Sequence, residues 1–268
     1  TPWGVLVSEI MLKHTPVTRV LPYWQVWMER WHTAPDLAKA TPAEAIRAWG
    51  RQRYPRSATR LHQSAITITS LYRGEVPASY SELITLPGVG DYTANAILAF
   101  AFGERTTVLD INVRRVITRA WQGIESPPAH ISTIERALAE ALVPRTAAQA
   151  SRWAAASMEL GALICTAKNP ECTHCPLATS CAWHQSGKPA AQHQQRKQPR
   201  YEGSDRQERG RILALLRQSS VPVSTKNLEC EAADSAQHLR CRDSLIADGL
   251  ITRIGRKWAL PTQSHPGS

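Results

Sequence analysis

Leu86-Pro87-Gly88-Val89-Gly90-Asp91-Tyr92-Thr93 is the stretch on which the reading of this fold turns. Two glycines bracket one apolar residue between two segments of helical character, Ser79–Ile84 and Tyr92–Phe102. A turn so tight calls for backbone angles that only glycine reaches without a Cβ penalty, and it leaves amides at the start of the next helix pointing outward. Successive N–H groups at a helix N-terminus favour an anion such as a nucleic-acid phosphate. Alone, the string is also compatible with a purely structural helix turn. Downstream, Val108-Leu109-Asp110-Ile111-Asn112-Val113-Arg114-Arg115-Val116 sets a carboxylate just ahead of a further helix, and the two strings together are far more specific.

A second signature follows at Cys165, Cys172, Cys175 and Cys181, spaced C-x6-C-x2-C-x5-C in a loop that includes Ala167-Lys168-Asn169-Pro170. Structural zinc sites use two tight pairs, whereas a 4Fe–4S cube takes four thiolates. Only Cys172 and Cys175 are tight here, so the spacing favours a 4Fe–4S cluster over the alternatives, a zinc knuckle or two disulfides. Cys230 and Cys241 stand apart from this spacing and read as plain buried thiols.

The 268 residues suffice for two or three small domains, and the formal charge of +10 points to a polyanionic partner. The longest apolar run, Ala96 to Phe102, is far too short to span a membrane, and with no visible signal peptide the expected compartment is the cytoplasm. That setting keeps thiols reduced and open to iron. A first residue of Thr suggests an initiator Met removed in processing.

Most of residues 1–160 reads as helix punctuated by Pro and Gly: Trp3–Lys13, Val17–Trp31, Pro42–Trp49, Ser57–Tyr72, the two hairpin segments, Val113–Gln122, Ile131–Leu142 and Ala147–Leu163. Eight Lys/Arg against three Asp/Glu between Lys188 and Arg217 mark a basic linker. Beyond it, two helical segments, Arg206–Gln218 and Ser235–Asp248, precede a small hairpin around Gly255, the outline of a winged helix. The expected division is 1–187 with the cluster loop at 165–181, a linker at 188–205, a winged-helix-like domain at 206–262 and a tail at 263–268.

The runs LPGVGDYTANAI, VLDINVRRV and MELGALIC with its cysteine loop resemble the helix–hairpin–helix DNA glycosylases, most closely the MutY-like enzymes and their actinobacterial forms, over residues 2–185. The resemblance implies an all-α, two-lobed glycosylase fold with a 4Fe–4S loop, a monomer acting on double-stranded DNA. It places Leu86, Gly88, Val89, Gly90 and Asn112 at the DNA, and implies a reaction in which the target base is flipped out and its N-glycosidic bond cleaved. Asp110 would then stabilise positive charge developing on the sugar. Ser8-Glu9-Ile10-Met11-Leu12 matches the string carrying the second catalytic carboxylate, and Glu9 on this apolar helix should be partly desolvated, with a raised pKa suited to proton transfer to the leaving base. Tyr92 stands where lyase-competent relatives carry a Schiff-base Lys, which implies a monofunctional enzyme that leaves an abasic site. Lys13, close to Glu9, leaves room for an opportunistic lyase activity. Tyr54 matches the family's wedge Tyr, a buried core Tyr being the alternative.

The departures from MutY fall in its recognition shell. Lys13-His14 replace Gln-Gln, Arg51-Gln52-Arg53-Tyr54 replace Gly-Leu-Gly-Tyr, Ile111 replaces a small residue, and an N-terminal Leu-Pro-Trp-Arg string is absent. Lost pocket wall and added donors at Lys13, His14, Gln52 and Arg53 suggest a retargeted glycosylase for a bulky modified base, for example glucosylated hydroxymethylcytosine of phage DNA, in antiviral defence. The alternatives are adenine removal opposite 8-oxoguanine, thymine or uracil removal from G:T and G:U, and a non-enzymatic iron–sulfur regulator that binds DNA without releasing a base.

Overall fold

The structure, a computed structural model, describes residues 1–13, 15–190, 200–230, 232 and 234–263; His14, half of the basic linker and the end of the tail lie outside the described residues. The chain is mostly helical and forms two compact units. Thr1–Pro77, Ser81–Val89 and Lys197–Ser268 make the first; Ala78–Tyr80 and Gly90–Arg196 make the second. No helix among the described residues is long and apolar enough to cross a membrane.

The first unit opens with α1 (Pro2–Met11), α2 (Val17–Arg30), α3 (Ala34–Lys39), α4 (Pro42–Trp49) and α5 (Arg56–Leu71). Caps set the boundaries. The Thr41 hydroxyl accepts the Glu44 amide at 3.3 Å while the Glu44 carboxylate accepts the Thr41 amide at 2.8 Å, with Pro42 at the first helical position. Thr33 and Asp36 repeat that box on α3, a helix too short to show a period in the sequence. Trp27 packs edge-on against Trp31 and Trp49, and Leu37, Ile46, Leu61 and Ile68 complete a closed core under α5. Aromatic pairs of this geometry add about 0.5–1.5 kcal/mol each beyond the area they bury.

The C-terminal part of this unit runs α12 (Asp205–Gln218), β1 (Val223–Ser224), α13 (Thr225–Glu229), α14 (Ser235–Ala247), β2 (Thr252–Ile254) and β3 (Lys257–Ala259). The strands form an antiparallel sheet in the order β1-β3-β2, with Trp258 facing Val223 on one side and Arg253 on the other. The two helices and the hairpin match the expected outline; β1 and α13 add to it. Cys241 is buried, as expected, but Cys230 is exposed where α13 ends. Two arginines tie this part to α4: Arg47 donates to the Ser219 carbonyl at 3.1 Å and Arg217 to the Ile46 carbonyl at 3.2 Å. Burial of Arg217 brings its pKa down to about 10. Its acceptor is one of the last carbonyls of α4, which have no partner within the helix.

The second unit contains α7 (Asp91–Ala101), α8 (Ile111–Ile117), α9 (Thr133–Leu142), α10 (Ala147–Leu163) and α11 (Ala182–Gln185), while the single turn α6 (Tyr80–Leu83) lies across the boundary of the units. The segment expected as one helix over Val113–Gln122 is not continuous: α8 widens into a π turn at Thr118–Gln122 and stops at Gly123, φ +69°. Arg114 on α8 and Glu135 on α9 form a buried two-toothed ion pair at 2.5 and 2.9 Å.

Candidate active site

Leu86 and Val89 anchor the hairpin turn in the core, and the Val89 amide closes it on the Leu86 carbonyl at 3.0 Å. Gly88 has φ +84°, with a Cβ there falling 3.1 Å from that of Arg60, so this position needs glycine. Gly90 is different. Its φ of −112° is open to any residue and an added Cβ would meet nothing within 4 Å, so the unusual angles expected of the turn fall at Gly88 and not at Gly90. The amides of Gly88 and Gly90 take no backbone acceptor among the described residues, which leaves donors for an anion. The turn's carbonyls face inward instead: Ser64 donates to Pro87 O and Lys13 Nζ to Gly88 O, both at 2.6 Å.

Lys13 is half-buried, and desolvation, aided by the Arg60 charge and opposed by that of Glu9, lowers its pKa. Glu9 sits one turn earlier on α1 and is only 6% exposed, in keeping with the partial desolvation expected of it. In the loop after α4, Gly50 adopts φ +59° and Tyr54 φ +54°. Tyr54 is 52% exposed, so it is not a core tyrosine; a non-glycine residue held in the left-handed region and turned to solvent is the kind of strain that collects at functional sites. Trp49 Nε1 holds this loop through Arg53 O at 3.0 Å. Gln52 is 6% exposed, and neither its Oε1 nor its Nε2 has a partner among the described residues.

In the second unit Asp110 caps α8. Its Oδ1 accepts the Val113 amide at 2.7 Å and its Oδ2 accepts Asn112 Nδ2 at 2.9 Å. Burial raises the Asp110 pKa against these bonds and the nearby Arg115 charge. Arg115 fixes the Asn112 amide by donating to Oδ1 at 2.9 Å, and also holds Cys165 O at 2.6 Å and Gly161 O at 2.5 Å. Gly161 lets α10 lie against the first turn of α8, since a Cβ there would fall 2.7 Å from Asn112 O. Asp110, Asn112, Arg115 and the first cysteine thus form one connected chain. Arg115 and Gly161 were not singled out in the sequence, although an interior helix glycine, costing about 1 kcal/mol against alanine, was a usable signal. Tyr92, in the first turn of α7, packs on Ala96, Ala99, Val108 and Ala154 and offers no amine.

Cys165, Cys172, Cys175 and Cys181 are all free thiols and line one pocket with Ile164, Pro170, Ala178, Trp183, His184 and Arg119. The Arg119 guanidinium, 1% exposed, lies 3.4 Å from Cys165 Sγ, donates to Thr166 O and Ala167 O, and stacks 4.5 Å over Trp183. His184 Nδ1 is buried with no partner among the described residues. Four soft donors around one pocket, backed by a buried cation, fit an anionic thiolate-bound group. Among the described residues no three His, Cys, Asp or Glu side chains lie close enough to grip a single ion.

Glu9, Lys13, Gln52, Arg53, Tyr54 and Leu86–Val89 belong to the first unit; Gly90, Tyr92, Asp110, Asn112 and the cysteines belong to the second.

Residues 71–100 match the helix-hairpin-helix motif. The chain is 48% identical to the adenine DNA glycosylase of Mycolicibacterium smegmatis, an alignment spanning 99% of this chain and 89% of that protein. It is 43% identical to the adenine DNA glycosylase of Mycobacterium tuberculosis over 97% of this chain and 86% of the relative. A solved thermostable thymine-DNA glycosylase superposes with a TM-score of 0.63 at 26% identity, covering 69% of this chain and 85% of that one. The hairpin, the capped Asp110 and these relatives agree: the chain belongs to the adenine DNA glycosylase family of helix–hairpin–helix proteins and is a DNA glycosylase.

Proposed function

We propose that this glycosylase removes adenine mispaired with 8-oxoguanine in double-stranded DNA, leaving an abasic site. The observation that carries the reading is the 48% identity, over nearly the whole chain, to a protein named for adenine. The retargeted base and the antiviral role expected from the altered recognition shell gain no support from the relatives. One piece of that shell also has a structural occupation: Lys13 spends a donor on the Gly88 carbonyl. The chain covers 89% of the relative's length, so where it begins carries no argument about a missing pocket wall.

In this reading, Asp110 stays ionised and stabilises the oxocarbenium-like sugar, its two oxygens aimed by the Val113 amide and by Asn112. Glu9 supplies the proton to the leaving base. Tyr54 fills the stack after flipping, Lys13, His14, Gln52, Arg53 and Asn112 line the DNA, and the free hairpin amides take a phosphate. With Tyr92 lacking an amine, hydrolysis ends the reaction.

The four cysteines would hold a 4Fe–4S cluster, which supplies a covalent closure for the loop rather than a bond-breaking group. Arg119 supports this, since among the described residues its buried guanidinium has no carboxylate partner and meets backbone carbonyls, the Cys165 thiol and the Trp183 ring. Residues 206–262 act as a winged-helix-like domain after the 188–205 linker, and the protein works as a cytoplasmic monomer.

The test is base release from A:8-oxoguanine, G:T, G:U and glucosylated hydroxymethylcytosine duplexes, scored by alkaline cleavage at abasic sites. Cleavage confined to A:8-oxoguanine and lost in Asp110→Asn is expected; release of the glucosylated base alone overturns the adenine reading. For the cluster, absorbance near ~400 nm should disappear in Cys172→Ser, and a colourless zinc-loaded protein refutes it.

A further inference from the structure

We propose that the wing formed by β2, β3 and their turn is a second DNA-backbone surface, one that grips phosphates without reading sequence. It rests on DNA being the substrate and concerns residues other than those assigned to the glycosidic chemistry.

The turn is built to present charge. Gly255, at φ +60°, reverses the chain and leaves Arg253, Arg256 and Lys257 exposed around it, with Lys226 exposed at the start of α13. Lys257 faces Ser224 across the ladder, two residues before Lys226, so the four cations share one end of the sheet. The turn is fixed from below: Trp258 Nε1 donates to the Thr225 hydroxyl at 3.1 Å, and that hydroxyl donates to Arg256 O at 3.2 Å. Arg253 is held by its own bond to Gly255 O at 2.9 Å and by the Trp258 ring, 5.8 Å from its guanidinium. Pre-ordered side chains lose less entropy on meeting a ligand.

None of these four cations makes an ion pair among the described residues. On α14, the helix that a winged helix usually lays in the major groove, the opposite holds. Arg240 is paired to Asp205 at 2.8 Å and Arg242 to Asp243 at 2.8 Å, while Asp248 takes Arg209 at 2.5 Å. A guanidinium already neutralised by a carboxylate gains little from a phosphate; an unpaired one releases a counterion on binding. The charge distribution therefore favours the wing over the helix as the DNA-contacting element, and backbone contact over base readout.

The test compares the full-length protein with Arg253→Ala/Arg256→Ala/Lys257→Ala and with Gln237→Ala/Arg240→Ala on α14. Binding to a duplex carrying an abasic analogue and to a random duplex is titrated from low to moderate salt. Losing three phosphate contacts should make the log–log salt dependence shallower by about 2–3 and weaken both duplexes alike, by at least about tenfold at 0.1 M salt. Single-turnover base release at saturating enzyme should remain, with an unchanged melting temperature, because no reacting group is touched. An unaltered salt slope in the wing variant overturns the proposal, as does an equal or larger loss in the α14 variant. Loss of base release at saturation would instead count against the wing being separate from the chemistry. Total inactivity of the wild type would count only against the adenine assignment, since the binding arm does not use it.

Discussion

Replacing Gly161 by alanine tests whether the close approach of α10 to α8 is what aims Asp110. The new Cβ would lie 2.7 Å from Asn112 O and 2.8 Å from Asn112 C and Cβ, none of which can rotate aside. Ordinary contact begins at 3.4 Å, so the two helices must part by about 0.7 Å. Overpacking of this kind costs about 1–3 kcal/mol, and alanine returns about 1 kcal/mol of helix propensity. The net loss of up to about 2 kcal/mol lowers the melting temperature by only a few degrees. Catalysis should suffer more. The shift acts on the residue that orients Asp110, and misplacement on the order of 1 Å costs about a hundredfold in rate. We expect single-turnover base release from A:8-oxoguanine duplex to fall by about 10- to 100-fold, with affinity for an abasic-analogue duplex preserved. A rate within about twofold of wild type in a folded variant would refute the reasoning, because the helices would then have parted without disturbing the carboxylate.

Three further outcomes follow from the same geometry. Gln52→Leu removes two buried polar atoms that lack partners, each costing on the order of 1–3 kcal/mol, so thermal stability should rise while discrimination between opposite bases weakens; a drop in stability would mean the amide is paired. Glu135→Gln leaves Arg114 buried without its counter-charge and should lower unfolding free energy by about 3–5 kcal/mol in a denaturant titration; a loss below about 1 kcal/mol would show the pair to be dispensable. Burial holds the Asp110 pKa above the ordinary carboxylate value, so single-turnover rate should begin to fall, as pH drops, earlier than for an exposed carboxylate. For stability the sign reverses: between the ordinary and the raised pKa the folded state binds more protons, so this group's contribution improves as pH falls through that window, and Asp110→Asn should erase this stability trend in denaturant titrations.

Legibility in the sequence followed the range of the interactions. Helices bounded by a Pro and a capping Thr or Glu, as at Thr41-Pro42-Ala43-Glu44, were readable because their signals lie within a few residues. The six-residue α3 escaped because it is shorter than two helical periods, and the π turn at Thr118–Gln122 because its composition continues that of α8. The acid at Asp110 and the four cysteines stood in recognisable strings, yet their connection did not. Arg115, which holds the Asn112 side chain, reaches the Gly161 and Cys165 carbonyls up to fifty positions away, and backbone carbonyls leave no trace in residue identity. The recognition shell was hard to read for a related reason. Lys13 reads in the sequence as a new donor for a ligand, and in the fold one of its donors goes to a backbone oxygen seventy-five residues away.

The arginine clasps from Arg47 to Ser219 and from Arg217 to Ile46 bear on how the enzyme measures its substrate. A module hung on a linker samples many separations, and its reach grows with linker length. One clasped to α4 has a set separation from the hairpin turn of the same unit, so, with the wing gripping phosphates as proposed above, turn and wing would work as the two marks of a ruler laid along the duplex. The protected length of DNA should then be indifferent to residues inserted in the linker, and should blur once Arg47 and Arg217 are both replaced by alanine.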